Sequence, residues 1–190
     1  TPEDREAIAQ YTDVIIRQTG DLRRIVDEFS RFARMPEPDR RETDLARLLR
    51  EAVVLQQDAI EGGVATDIPA DPVIVDCDAG MLRQAFTNLL KNAGEAVMAR
   101  RAVDNHTDGG VVASLVVENG AAVFVVEDDG VGLPARDRDR LTEPYVTTRE
   151  KGTGLGLSQV IGFTKQSGGD VEVVSHVGRG ATFTLYLPEV

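Results

Sequence analysis

Apolar residues near the start of the chain recur at steps of three, four or seven: Ile8, Tyr11, Ile15, Leu22, Ile25, Val26, Phe29 and Phe32. That spacing predicts a helix over about 2–33 with one apolar stripe, and the Arg and Asp residues between its members make the stripe a seam that needs a partner helix. Gly20 weakens this helix without ending it. Met35-Pro36-Glu37-Pro38 stops it, because proline lacks the amide donor and turns the residue before it away from helical angles. The chain thus divides into residues 1–36, a charged linker over 37–42 and a second unit over 43–190.

In the second unit Asp44 can cap a helix carrying Leu45, Leu48, Leu49, Ala52, Val53 and Leu55, ended by Gly62-Gly63. Short strands are expected at 64–68 and 73–77, around a Pro-Ala-Asp-Pro turn. Asp78 then caps a long helix to about residue 101, and 104–110 reads as an exposed loop. Strands at 111–118 and 121–127, split by Asn119-Gly120, make a hairpin. A helix over 154–166, ended by Gly168-Gly169, precedes strands at 171–175 and 182–187. Mixed helices and hairpins predict an α+β fold, a sheet with helices on one face.

The chain has 190 residues, of which 42% are hydrophobic, enough for one sizeable core and an appended element. Its 21 basic against 32 acidic residues give a net charge of −11, and no basic run exceeds two residues. This argues against nucleic acid or an anionic membrane as the main partner. Cys77 alone cannot form an internal disulfide, and the lack of a signal-peptide pattern or of an apolar run near about 18 residues predicts a soluble, cytosolic segment. Only two histidines, His106 and His176, are present, which excludes a His-rich metal site.

Four features could carry chemistry. On the long helix, Leu82, Phe86, Leu89, Leu90, Ala93 and Val97 fall on one arc, while Gln84, Asn88, Lys91, Asn92 and Glu95 gather opposite. Asn88 and Asn92 stack one turn apart, either as part of a solvated face or as hard oxygen ligands for Mg²⁺. Residues 125–134, Val-Val-Glu-Asp-Asp-Gly-Val-Gly-Leu-Pro, run from a strand into an acidic, Gly-rich turn. It is a turn, or a site in which Asp128 accepts from an exocyclic amino group and Gly130 and Gly132 let the backbone approach a flat ring. Lys151-Gly-Thr-Gly-Leu-Gly-Leu-Ser158 opens a helix and is either a hinge or a phosphate site of unpaired amides. It is neither a Walker loop nor a dinucleotide fingerprint. Between these Gly-rich segments, the charged stretch around Glu143-Pro-Tyr-Val-Thr-Thr148 reads as a connecting loop, in the place of a lid.

In that order, these features resemble the ATP-binding catalytic domain of two-component sensor histidine kinases, within the superfamily shared with gyrase B, Hsp90 and MutL. The resemblance covers about 43–187, and Gly178-Arg-Gly-Ala-Thr-Phe183 is similar to the family's closing Gly box. The lid with its Gly-rich continuation, and Val26-Asp-Glu-Phe-Ser-Arg-Phe-Ala-Arg-Met-Pro upstream, resemble the nitrogen-regulation sensors of the NtrY type.

The resemblance implies a two-layer α/β sandwich of Bergerat type, a mixed five-stranded sheet under three helices, preceded by one long helix. It implies ATP and Mg²⁺ as cofactors. Asp128 would take the adenine amino group, with Gly130, Val131, Gly132, Leu133 and Thr182 around the purine. Thr182 carries that role because Ala181 stands where many relatives have Thr or Ser. Asn92 would be the chief Mg²⁺ ligand with Asn88 beside it. Lys91, Arg149 and Lys151 and the segment Gly152, Thr153, Gly154, Leu155, Gly156 and Leu157 would hold phosphate, and Tyr145, Thr147 and Thr148 would belong to the lid. Asn88, Lys91 and Arg149 would be the catalytic set; Arg149 replaces a frequent Lys, keeping the charge but changing the donor geometry.

By the same resemblance, residues 1–36 are the second helix of a dimerising hairpin whose first helix bears the acceptor histidine, so this fragment would not autophosphorylate. The implied partners are that hairpin, as a homodimer in the full-length protein, and a response regulator. The implied location is cytoplasmic, with or without an inner-membrane anchor elsewhere. A gyrase B- or MutL-like ATPase is the first alternative, but those carry Glu at the position of Asn88 to activate water. A serine kinase of the anti-sigma type is the second, and the N-terminal seam argues against it. A nucleotide-binding module without activity is the third, and the intact motifs weigh against it.

Overall fold

A computed structural model describes residues 8, 11–20, 22, 23, 26, 37–104, 109–133 and 156–190. The two predicted caps form as expected. Asp44 Oδ1 accepts from the amides of Ala46 (3.1 Å) and Arg47 (3.3 Å), which opens α1 (Leu45–Gln56); it also accepts from Val73 N–H at 3.2 Å. Asp78 Oδ1 accepts from Met81 N–H at 3.0 Å and starts α2 (Ala79–Val103). Such caps satisfy amides that have no partner within the helix and contribute about 1 kcal/mol each.

Two strands lie between α1 and α2: β2 (Val64–Asp67) and β3 (Ile74–Cys77). The hairpin of β4 (Val111–Glu118) and β5 (Ala121–Asp128) turns at Asn119 (φ 53°) and Gly120 (φ 75°), the paired positive angles that a two-residue turn requires. Helix α3 (Gly156–Gln166) and strands β6 (Asp170–His176) and β7 (Gly180–Pro188) complete the domain. Five strands form one mixed sheet in the order β2-β4-β5-β7-β6, with β2 parallel to β4 and every other pair antiparallel.

Strand alternation sends Ala113 and Leu115, Ala122, Phe124 and Val126, and Phe183, Leu185 and Leu187 to the helix side, where all are buried. Helix α2 lies on this surface with Leu82, Phe86, Leu89, Leu90, Ala93 and Val97 inward, the arc expected from their spacing. Phe86 meets Phe124 at a centroid distance of 4.5 Å and an interplanar angle of 59°. Each ring stabilises the core by roughly 1.5–3 kcal/mol through burial alone. Cys77 is also fully buried, which pushes its thiol pKa up.

One element differs from expectation. Arg41 and Glu42 are not linker: they begin β1 (Arg41–Asp44), which pairs with β3 in a separate antiparallel ribbon, Arg41 opposite Cys77 and Glu42 opposite Asp76. Backbone pairing and the Arg40–Asp76 ion pair (3.1 Å) hold the ribbon, so this strand shows no apolar alternation by which to recognise it. At the N-terminus, residues 11–20 are helical through Gly20. Their apolar members stand bare: Ile15 is 63% exposed, whereas Leu82 and Phe86 are 0% exposed.

Candidate functional site

Helix α2 carries the site along one strip. Asn88 and Asn92, one turn apart, face the start of α3: a Cβ on Gly156 would stand 3.9 Å from Asn88 Cγ and 4.0 Å from Asn92 Nδ2. Asn88 Nδ2 donates to Gly156 O at 3.4 Å and to Gln159 Oε1 at 3.3 Å, and Gln84 Nε2 donates to the same Gln159 oxygen at 3.2 Å. Lys91 is exposed, its ammonium 3.9 Å from Glu95. An exposed pair of this kind contributes little and leaves the ammonium able to turn to another anion.

One turn beyond Asn92 lies Ala96, and here the acidic turn after β5 docks. Asp128 is the last residue of β5, its side chain on the helix side and 7% exposed; Oδ1 accepts from Gly130 N–H at 2.8 Å. A Cβ on Gly130 would come within 2.5 Å of Ala96 Cβ, and Val131 N–H donates to Ala96 O at 3.3 Å. Arg100, a turn further, donates to Asp129 O at 2.7 Å.

The opposite flank of the turn is held by the β6–β7 connection. Gly132 has φ +68° and no room for a Cβ, which would sit 2.1 Å from His176 O. Gly178 N–H donates to Val131 O at 2.8 Å. Ser175, 1% exposed, accepts from Leu133 N–H at 2.8 Å and donates to Gly180 O at 3.0 Å. The turn that follows Asp128 is therefore held from both sides, and its Gly130 N–H in turn holds the Asp128 carboxylate. Asn88, Asn92 and the docking point at Ala96 follow one another at steps of four, so the strip from Asn88 to Ala96 spans about 12 Å.

Residues 77–190 match the family described as histidine kinase-, DNA gyrase B-, and HSP90-like ATPases. The chain belongs to this ATPase family. It is 43% identical over 187 residues to the nitrogen regulation protein NtrY of Azorhizobium caulinodans, covering 97% of this chain and 24% of that protein. Among solved structures, full-length ShkA in complex with AMPPNP superposes with a TM-score of 0.73 at 29% identity, over 93% of this chain and 38% of ShkA. The nucleotide-free catalytic domain of histidine kinase ThkA gives 0.66 at 23% identity over 80% of this chain and 96% of that one, a likeness of fold. The chain spans about a quarter of the length of NtrY. Within the ATPase family it is similar to the histidine kinase members, NtrY and ShkA among them.

Of the residues expected in an ATPase site, Asn88, Asn92 and Gly156 meet at the α2–α3 contact, Leu157 packs partly buried against the core, and Asp128, Gly130, Val131, Gly132 and Leu133 form the docked turn. Two readings change. Gly130 and Gly132 are glycines because protein backbone crowds them, Ala96 on one side and His176 on the other, and that suffices without a ring. Thr182 pairs with Glu127, whereas Ala181 pairs with Asp128. Neighbours across a ladder share a face, so Thr182 points away from the helix layer. It lines a depression of about 290 Å³ at the end of the sheet together with Val112, Glu127 and Val174 of its own row and with Asp128 and Ala181 of the other. Tyr145, Thr147, Thr148, Arg149, Lys151, Gly152, Thr153, Gly154 and Leu155, and with them the expected lid, lie outside the described residues, as does His106. His176 is exposed at the end of the edge strand β6, consistent with a sheet-edge residue.

Sequence reading missed Ser175, Arg100 and Gln159. Ser175 gives no signal beyond its place just before the closing Gly box. A buried-face Gln within the helical pattern of 156–166 is the signal that could have singled out Gln159.

Proposed function

We propose that this chain is the ATP·Mg²⁺-binding catalytic domain of a sensor histidine kinase, transferring the γ-phosphoryl group to a histidine on a helical hairpin for relay to a response-regulator aspartate. The observation that carries it is the shared strip on α2: a buried carboxylate suited to an exocyclic amine at one end, and two amides suited to a hard cation one and two turns away. Asp128 binds adenine through its amino group. Asn88 and Asn92, half-buried and carrying neutral oxygen donors, fit a cation that keeps waters and phosphate oxygens for the rest of its shell. When bound, Mg²⁺ supplies neutralisation of phosphate charge. Lys91 and Arg149 add positive charge at the phosphates, and the segment 151–157 leading into α3 offers backbone amides to them. Phosphoryl transfer needs alignment and charge stabilisation more than covalent help, which suits a site whose described members are amides, a carboxylate and an ammonium.

The neutral Asn88 separates this reading from a water-activating ATPase. Its amide nitrogen is engaged with Gly156 and Gln159, and an amide does not take up a proton as a general base. Residues 1–36 are, in this proposal, the second hairpin helix, whose bare stripe from Ile8 to Val26 is the packing surface for its partners. Among the described residues no helix is long and apolar enough to cross a membrane.

Two measurements test the proposal. Calorimetry should give ATP binding in the micromolar to millimolar range, about 4 to 8 kcal/mol. Incubation with γ-³²P-ATP and a separately supplied acceptor hairpin should label the hairpin histidine. Release of phosphate without hairpin labelling supports the ATPase instead, and label on His106 or His176 overturns the assigned acceptor.

A further inference from the structure

Gln159 is an odd choice at its place. It lies on α3 facing α2, 9% exposed, with Val160 next to it fully buried. A buried amide is costly unless its polar atoms are partnered, and an apolar residue is the ordinary occupant of such a contact. Its Oε1 accepts from Asn88 Nδ2 at 3.3 Å and from Gln84 Nε2 at 3.2 Å, so one oxygen gathers two amides of α2. The direction of these bonds follows from a third. Asn88 Nδ2 also reaches Gly156 O at 3.4 Å, and a backbone carbonyl can only accept, so the nitrogen end of the Asn88 amide must face α3. Gln159 must then present its oxygen.

An amide carries oxygen and nitrogen on opposite sides of one carbon. With Nδ2 held by α3, Asn88 Oδ1 is turned away from α3. The reverse orientation would aim N–H donors at a cation; Gly156 O at 3.4 Å and Gln159 Oε1 at 3.3 Å are the two acceptors that oppose it, and of these only Gln159 acts through a side chain. We propose that Gln159 is a positioning residue: by accepting from Asn88 Nδ2 it holds Asn88 Oδ1 in the orientation that ligates the magnesium ion of the bound nucleotide. This rests on the ATP·Mg²⁺ reading given above. Groups that orient a metal ligand through its other hydrogen-bonding atom affect metal affinity without touching the metal.

The test is ATP binding by calorimetry across a Mg²⁺ series and in EDTA, for the wild type, Gln159→Leu, Gln159→Met, Gln159→Glu and Gln84→Ala. The Leu and Met variants lack an oxygen acceptor and should raise the Mg²⁺ concentration for half-maximal effect by about 10- to 100-fold. Their affinity for ATP in EDTA should stay at the wild-type value. Gln159→Glu keeps an acceptor and should keep the wild-type Mg²⁺ midpoint or lower it, and Gln84→Ala should not move it. In protein free of metal and nucleotide, the Asn88 side-chain amide signals in ¹H–¹⁵N spectra should shift in the Leu and Met variants. An unchanged Mg²⁺ midpoint in folded Leu or Met variants overturns the inference while leaving the magnesium site standing. Equal losses with Mg²⁺ and in EDTA also overturn it, showing a packing role. Wild-type binding indifferent to Mg²⁺ overturns the magnesium reading itself, and this inference with it.

Discussion

Glu127 and Asp128 are adjacent on β5 and live on opposite faces of the sheet. Asp128 faces the helix layer, buried beside Ala181 and Ser175, with its carboxylate tied to Gly130. Glu127 faces outward in a row with Val112, Thr182 and Val174, on a surface that no described helix covers. Composition barely distinguishes the two rows: each carries one carboxylate and one hydroxyl. What differs is the company. The inner row is closed by α2 at Ala96 and by the β6–β7 connection, so its carboxylate is fixed and partly desolvated, whereas the outer carboxylate is solvated and free to move. In the proposed site, the face on which the strand ends is what sets Asp128 apart from Glu127, and a shift of one residue would exchange the two.

The largest expected contrast is between the acids themselves. Asp128→Ala should weaken ATP binding by at least about 100-fold, or ~2.7 kcal/mol, since a lost hydrogen bond to a charged group is compounded by a buried amine left unpaired. Glu127→Ala should leave the affinity unchanged. Equal affinities for the two variants, with both still folded, would end the adenine assignment.

Next come the residues that close the inner row. Gly180 has φ +90°, and a Cβ there would meet Asp128 O at 1.7 Å. Gly180→Ala should therefore cost more than about 3 kcal/mol of unfolding free energy, through strain and displacement of the strand end together. Denaturant melts would show it, and a loss below about 1 kcal/mol would mean that the row tolerates being opened. Ser175→Ala removes a hydroxyl that partners both Leu133 N–H and Gly180 O in a buried place, and should cost about 1–3 kcal/mol. Part of that loss should appear as weaker ATP binding, because the hydroxyl fixes the exit of the Asp128 turn.

The contrast also marks how far the sequence could be read. Periodicity located the stripe of α2, short polar residues before it located the caps at Asp44 and Asp78, and Asn119-Gly120 located the hairpin, because each is a local rule with a local cause. The motif order pointed to the ATPase family, and the match over 77–190 agrees. The reasons behind individual residues were less visible. Gly130 and Gly132 are demanded by Ala96 and His176, which are about 35 to 45 residues distant in the chain. Strand β1 lacks alternation because its stabilising partner is another backbone. Gln159 acquires its meaning only from the helix across from it.

The smallest effect is the most discriminating about the face of the sheet. The family resemblance led to Thr182 as the hydroxyl beside the purine, one residue from the place where many relatives carry it. The ladder puts Thr182 opposite Glu127 and Ala181 opposite Asp128, so only residue 181 shares the face of the carboxylate. Thr182→Ala should then change ATP affinity by less than about two-fold and stability by no more than about 0.5 kcal/mol, as for an outward-facing surface substitution. Ala181→Thr is the complementary change. Residue 181 is 7% exposed, so the added hydroxyl enters a nearly closed space next to Asp128, and its effect should be seen in both melting and binding. A hydroxyl that lands within reach of the carboxylate adds a donor to it and should alter ATP affinity in either direction by more than Thr182→Ala does. If instead Thr182→Ala is the variant that weakens ATP binding, the nucleotide is reading the outer row, and the separation of the two faces at the end of β5 is not what makes the site.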